Sequence, residues 1–181
     1  MPFFDTPFRD LKVFEPRIFE DERGYLFESF NQREFERAGI HAVFVQDIQV
    51  FSKKGALRGL HYQTLPFEQA KLIRVVKGEI LDVVVDLREE EPTFGKWHSE
   101  RLNDRDHRQL FVPRGFAHGY LVLSESALVA YKCDNFYAPS HEGGLRFDDP
   151  GLRIDWQTNL SDVIVSEKDL AQPFFGKHIK R

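Results

Sequence analysis

The chain holds a single cysteine, Cys133, and a single methionine among its 181 residues. One cysteine excludes an internal disulfide and fits a reducing, cytoplasmic setting. No apolar run approaches the roughly 20 residues needed to cross a bilayer as a helix. The amino-terminal stretch "MPFFDTPFRDLK" lacks the basic region followed by an apolar region that marks a secretory signal. Excess positive charge is also missing: the net charge is −4, and nothing exceeds short pairs such as Lys53-Lys54, which argues against a nucleic-acid surface. Any anionic ligand must be held by a few local cations. Repeats, low-complexity tracts and linkers are absent too, so a single domain over residues 1–181 is expected.

Aromatics are plentiful: 18 Phe, 5 Tyr and 2 Trp. They favour strands and can also wall a pocket that stacks on planar or sugar rings. Strand-like runs recur with turn signals between them, over residues 43–51, 57–63, 71–78, 79–87, 97–102, 108–113, 118–124 and 127–137. This spacing predicts an all-β sandwich or barrel rather than βα units. The Lys77-Gly78 pair suggests a tight hairpin between two of the runs. Helical signals are confined to the ends. "NQREFERAGI" offers Asn31 as N-cap and Gly39 as terminator, and "SEKDLAQP" offers one turn stopped by Pro173.

Three runs carry polar residues that a core strand has little use for. Strict alternation in "KLIRVVKG" groups Lys71 with Ile73 and Val75, and in "ALVAYKCDNFY" it groups Tyr131 with Val129 and Cys133. In "LRGLHYQ", His61 falls with Leu57 and Gly59 while Arg58 is out of phase. A bulge at Gly59 would bring both Arg58 and His61 inward. Singly, each residue has an ordinary structural explanation. Burying an unpaired lysine and histidine in one small barrel costs several kcal/mol, and a ligand site is the usual reason to accept that.

A further stretch, "PRGFAHGY", places His118 after a proline-glycine turn and resembles the second motif of the cupin superfamily, whose barrels often bind metal through histidines. The metal-binding pattern wants His-x-His followed by Glu. Here the first pair reads His61-Tyr62-Gln63, and with Glu68 as a substitute ligand the donors make a poor iron or zinc site.

From "DERGYLFESF" through "GALRGLHYQ", "AKLIRVVKGEILDVVVDLR", "PTFGKW", "VPRGFAHGY", "YKCDNFYAPSHEGG" and "IDW" to "SEKD", the chain resembles a metal-free cupin family, the 3,5-epimerases of dTDP-4-dehydro-6-deoxyglucose. The resemblance implies a double-stranded β-helix, or jelly-roll barrel, with an N-terminal strand extension and a few short helices. It implies epimerisation at C3 and C5 to dTDP-4-dehydro-L-rhamnose, on the route to dTDP-L-rhamnose, without metal or cofactor. Moving a proton between the faces of a carbon beside a ketone needs a base, a charge at the developing oxyanion and an acid across the ring. By resemblance these are His61, Lys71 and Tyr131, with Asp169 orienting the histidine. Asp169 also has the spacing of a capping box from Ser166, so helix initiation competes with that role.

The resemblance also assigns substrate contacts to Arg23, Glu28, Gln46, Asp47, Arg58, His118, Glu142 and Lys168. It implies a homodimer whose N-terminal strands cross to the second subunit. One departure stands out: Ile48 occupies a place where the family commonly has Asn, which removes a hydrogen-bonding side chain. A single-carbon epimerase on a related nucleotide sugar, a sugar-nucleotide-binding cupin without turnover and a metal-dependent oxygenase are the competing readings.

Overall fold

The structure, a computed structural model, describes residues 2–179. Two short strands, β1 (Phe3–Asp5) and β2 (Lys12–Phe14), precede a hairpin of β3 (Ile18–Asp21) and β4 (Gly24–Phe27). Helix α1 (Gln32–Arg37) follows, and then β5 (Gln46–Lys53), β6 (Leu57–Gln63), β7 (Lys71–Lys77) and β8 (Glu79–Asp86). The chain continues through β9 (Trp97–Asn103), β10 (Gln109–Val112), β11 (Phe116–Val122) and β12 (Ser126–Cys133). The short β13 (Glu142–Gly144) and the one-turn helix α2 (Glu167–Leu170) complete it.

The strands form two facing antiparallel sheets, one ordered β1-β2-β10-β7-β12-β5 and the other β13-β6-β11-β8-β9. Side chains that alternate inward, among them Ile73, Val75, Ile80, Val84, Leu110 and Val129, fill the space between the sheets. Each outer face is also partly covered. Phe35 of α1 and Ile40 pack with Leu72 and Phe111 on the six-stranded sheet, and Leu145, Phe147 and Trp156 pack on Leu60, Leu81 and Val83 of the other. Strand β8 is therefore buried on both faces, which is why "EILDVVVD" reads as nearly continuous apolar sequence.

Helix α1 forms as its caps predict, with the Asn31 side chain accepting from the N–H groups of Arg33 and Glu34 and Gly39 leaving at φ +81°. The Lys77-Gly78 turn differs from expectation. Strands β7 and β8 belong to opposite sheets, so Gly78 turns a corner of the barrel and closes no hairpin. It does so at φ +91°, with its N–H donated to Asp104 Oδ2 at 2.8 Å, and a Cβ there would lie 2.2 Å from the Ser126 carbonyl oxygen. The run expected over 43–51 starts pairing only at Gln46, and that over 127–137 ends at Cys133, because the Asp134 carboxylate takes the Ala70 N–H and turns the chain away.

Candidate active site

Strand β6 is not regular. His118 of β11 stands opposite His61 and Tyr120 stands opposite Arg58, so two steps on β11 match three on β6. The extra residue is a bulge centred on Gly59, whose φ of +115° only glycine adopts readily. A Cβ on Gly59 would sit 2.6 Å from the Gly119 Cα, so two glycines let the backbones meet there. The bulge changes the parity of the strand: Leu57 and Leu60 pack on the outer face, while Arg58 and His61 both turn into the cleft between the sheets.

That cleft has a volume of about 280 Å³ and is lined by Arg58, His61, Lys71, His118, Tyr131 and Asp169, among others. A second lobe of about 110 Å³ shares His61, Lys71 and Tyr131 and adds Ile48, Tyr137 and Glu142 at the mouth. His61 comes from the five-stranded sheet, whereas Lys71 and Tyr131 come from the six-stranded one. Lys71 Nζ lies 6.0 Å from the centroid of the Tyr131 ring.

His61 Nε2 and Asp169 Oδ1 are 2.6 Å apart. The Asp169 side chain is 5% exposed and also receives the Gly59 N–H at 3.3 Å. Burial pushes its pKa up, but the hydrogen bonds from His61, Gly59 and Ser166 outweigh burial and leave it lowered, so it stays ionised. The capping arrangement is real as well: Ser166 Oγ accepts from the Asp169 N–H at 3.1 Å. The carboxylate, however, is directed at the imidazole. With Nε2–H donated to Asp169, the other ring nitrogen of His61 is the basic one, and it has no hydrogen-bond partner among the described residues.

Burial lowers the pKa of Lys71, partly offset by the charges of Cys133, Asp82 and Glu142. Burial, reinforced by Tyr120 and Cys133, pushes the Tyr131 phenol up to about 12. Under neutral conditions the cleft thus presents an oriented imidazole, a lysine and a protonated phenol. Among the described residues no group of three His, Cys, Asp or Glu side chains converges as a metal site.

The other expected residues divide into those at the cleft and those away from it. Arg58 donates Nε to Ser52 Oγ at 2.9 Å on its wall, and His118 is buried with Nε2 2.8 Å from Asp82 Oδ2. At the mouth Lys168 Nζ reaches both Glu142 oxygens at 2.7 Å, and the Gln46 side chain accepts the Tyr137 N–H at 3.1 Å. Asp47 points to the outer face of β5, bonded to Lys132 at 3.0 Å. Arg23 sits at the tip of the β3–β4 hairpin, its side chain 90% exposed beside Asp21, and Glu28 accepts from Asn31 at 2.8 Å just beyond that hairpin. None of Arg23, Glu28 and Asp47 lines the cleft.

Two residues, one at the mouth and one behind His118, escaped the sequence reading. Tyr137, an exposed ring whose hydroxyl donates to Glu142 Oε2 at 2.6 Å, lay inside a stretch expected to be strand. Asp82 sits at an inward position of β8, where a carboxylate among β-branched residues was the signal available.

A family model described as dTDP-4-dehydrorhamnose 3,5-epimerase matches residues 5–177. A curated protein of Pseudomonas aeruginosa with that name is 52% identical over 162 residues, covering 88% of each chain. Among solved structures, dTDP-4-dehydrorhamnose 3,5-epimerase from Elizabethkingia anophelis superposes with a TM-score of 0.94 at 47% identity, over 97% of both chains. The dTDP-6-deoxy-D-glucose-3,5-epimerase of Legionella pneumophila, bound to dTDP-4-keto-L-rhamnose, superposes with a TM-score of 0.93 at 44% identity, over 97% of this chain and 93% of that one. With its cupin-type jelly roll and these relatives, the chain belongs to the dTDP-4-dehydrorhamnose 3,5-epimerase family of isomerases.

Proposed function

We propose that the protein epimerises C3 and C5 of dTDP-4-dehydro-6-deoxy-D-glucose, giving dTDP-4-dehydro-L-rhamnose. The observation that carries this reading is the Asp169-oriented His61 sharing one cleft with Lys71 and Tyr131. His61 removes the proton next to the C4 ketone. Lys71 stabilises the enolate oxygen, and Tyr131, from the opposite sheet, returns a proton to the other face. A phenol held near 12 suits that last step because it remains an acid throughout the working range.

The diphosphate and base occupy the mouth, with Arg58 and Lys168 as cations and the Tyr137 ring as an exposed platform for the base. Arg23 at the hairpin tip and Glu28 just beyond β4 do not line their own cleft, which fits a homodimer in which the β3–β4 hairpin reaches a second copy's site. The hairpin's exposed Tyr25 and Leu26 suit such burial. No described helix is long and apolar enough to cross a membrane. A nucleotide-sugar substrate and an unpaired Cys133 favour the cytoplasm.

Incubation with dTDP-4-dehydro-6-deoxyglucose in D2O, read by NMR and mass spectrometry, tests the reading. Deuterium at both C3 and C5 is the expected result. Deuterium at one carbon alone would make this a single-carbon epimerase, and none at either would leave a binding protein.

A further inference from the structure

Strand β8 places Asp82 on the inner face of its sheet, between the core residues Ile80 and Val84. The carboxyl is 0% exposed. One oxygen, Oδ2, meets His118 Nε2 at 2.8 Å, and the other, Oδ1, has no hydrogen-bond partner among the described residues. No turn, cap or arginine fork uses this group, in contrast to the buried Asp86, whose two oxygens are filled by Arg88 and Thr93. A half-satisfied carboxyl in a barrel interior weakens the fold, and sites that break a local rule in this way are commonly functional.

Its one partner explains it. His118 lines the cleft, is registered directly opposite His61, and has no hydrogen bond on Nδ1 among the described residues. We propose that Asp82 is a positioning residue for the epimerisation: by taking the Nε2–H of His118 it fixes the imidazole's tautomer and plane, so that Nδ1 faces the sugar as a hydrogen-bond acceptor. This rests on the epimerase reading above. Burial raises the Asp82 pKa, opposed by the His118 ring and by the charge of Lys71, and the ionised carboxyl in turn supports the Lys71 ammonium. Its role toward substrate is therefore exerted through neighbours, and Asp82 itself lines neither lobe of the cleft.

The test compares wild type, Asp82→Asn, His118→Gln and the double variant for kcat, KM and thermal melting, with exchange in D2O as the assay. An asparagine keeps the shape but presents either an oxygen or an amide to the ring, so it no longer dictates the tautomer. The expected result is a kcat lowered ~10- to 100-fold in Asp82→Asn, the scale seen for groups that orient a functional histidine, with KM within about threefold and the melting temperature held. In the His118→Gln background, Asp82→Asn is expected to add almost nothing, since its route to the sugar is already gone. Wild-type kcat in Asp82→Asn, or losses that multiply in the double variant, would overturn the proposal. So would a protein that no longer folds on Asp82→Asn, because the carboxyl would then be a structural group first. A wild-type protein that exchanges no deuterium defeats the epimerase reading, and this proposal with it; an active wild type with an indifferent Asp82 defeats this proposal alone.

Discussion

His61 and His118 are direct partners across β6 and β11, and each sets Nε2 against a buried carboxylate, Asp169 at 2.6 Å and Asp82 at 2.8 Å. The two dyads differ in access. The His61 side chain is 30% exposed and His118 is 6% exposed, so only the first has room to exchange protons with a bound sugar and the neighbouring medium. A barrel strand supplies each imidazole. The carboxylates come from different places, one from a helix beyond the barrel and one from inside it.

Asp169→Asn tests the exposed dyad. The substitution keeps the backbone N–H that Ser166 caps, so α2 is expected to form, with the melting temperature at pH 7 somewhat lowered because the fold favours the ionised carboxylate. Loss of the charge that stabilises the imidazolium is expected to lower kcat about 100-fold or more with little change in KM, measured by deuterium exchange at C3 and C5. A variant with wild-type kcat would leave Asp169 as a helix-capping residue only.

Tyr131→Phe separates proton removal from proton return. His61 and Lys71 remain, so the variant is expected to wash deuterium into the substrate with configuration retained, while inverted product falls about 100-fold. NMR of the recovered sugar distinguishes the two outcomes. Inversion at the wild-type rate would move the acid role to another group.

Much of this site was readable in the chain because period-2 alternation marks which face a residue takes. Lys71 with Ile73 and Val75, and Tyr131 with Val129, keep the faces that strict alternation gives them. His61 does not keep company with Leu57, since the Gly59 bulge shifts the parity by one, and the sequence shows that only as a glycine in an unexpected place. Pairing partners are the least visible feature. A turn signal such as Lys77-Gly78 says that the chain reverses, yet whether the next strand joins the same sheet depends on contacts far away in sequence. Asp47, expected among the substrate contacts, falls on the odd face of β5 and is held by Lys132.

The pH profile should report Lys71. Burial sets its pKa below the usual 10.5, whereas Tyr131 remains protonated up to about 12. As pH rises Lys71 therefore loses its proton first, and the alkaline decline of kcat belongs to it. In Lys71→Arg, whose charge does not titrate, kcat is expected to be lower but flat over the range where the wild type declines. The sign for stability is opposite to that of a paired lysine. A depressed folded-state pKa means the fold disfavours the ammonium at neutral pH, so Lys71→Met is expected to melt higher than wild type at pH 7 while losing turnover.

Gly59→Ala strikes the geometry that gathers the site. The added methyl meets the Gly119 Cα at 2.6 Å and the His118 carbonyl oxygen at 2.7 Å, both backbone atoms, at a φ of +115°. Strain and displacement together are expected to cost about 2–4 kcal/mol of stability, read by urea or thermal unfolding. What activity survives is expected to fall further than stability does, because Arg58 and His61 owe their shared face to the bulge. A fully active Gly59→Ala protein would show that the bulge is not needed to present the two side chains.

Ile48 is the place where this chain departs from the resemblance that otherwise describes it. It sits on the inward face of β5, registered with Tyr131, and lines the mouth lobe with Tyr137 and Glu142. Its neighbours there are polar or aromatic, so an aliphatic side chain offers bulk where an asparagine would offer a hydrogen bond. One such bond is worth about 0.5–1.5 kcal/mol, which corresponds to roughly 2- to 10-fold in affinity. Ile48→Asn is expected to tighten binding of dTDP by that factor in calorimetry and to lower KM for the sugar nucleotide in step. Because His61, Lys71 and Tyr131 keep their places, kcat is expected to stay within about twofold, the pattern of a contact made equally in the ground and transition states. Unchanged dTDP affinity would place Ile48 against the sugar or the solvent instead. A lowered kcat would mean that its main task is packing against Tyr131.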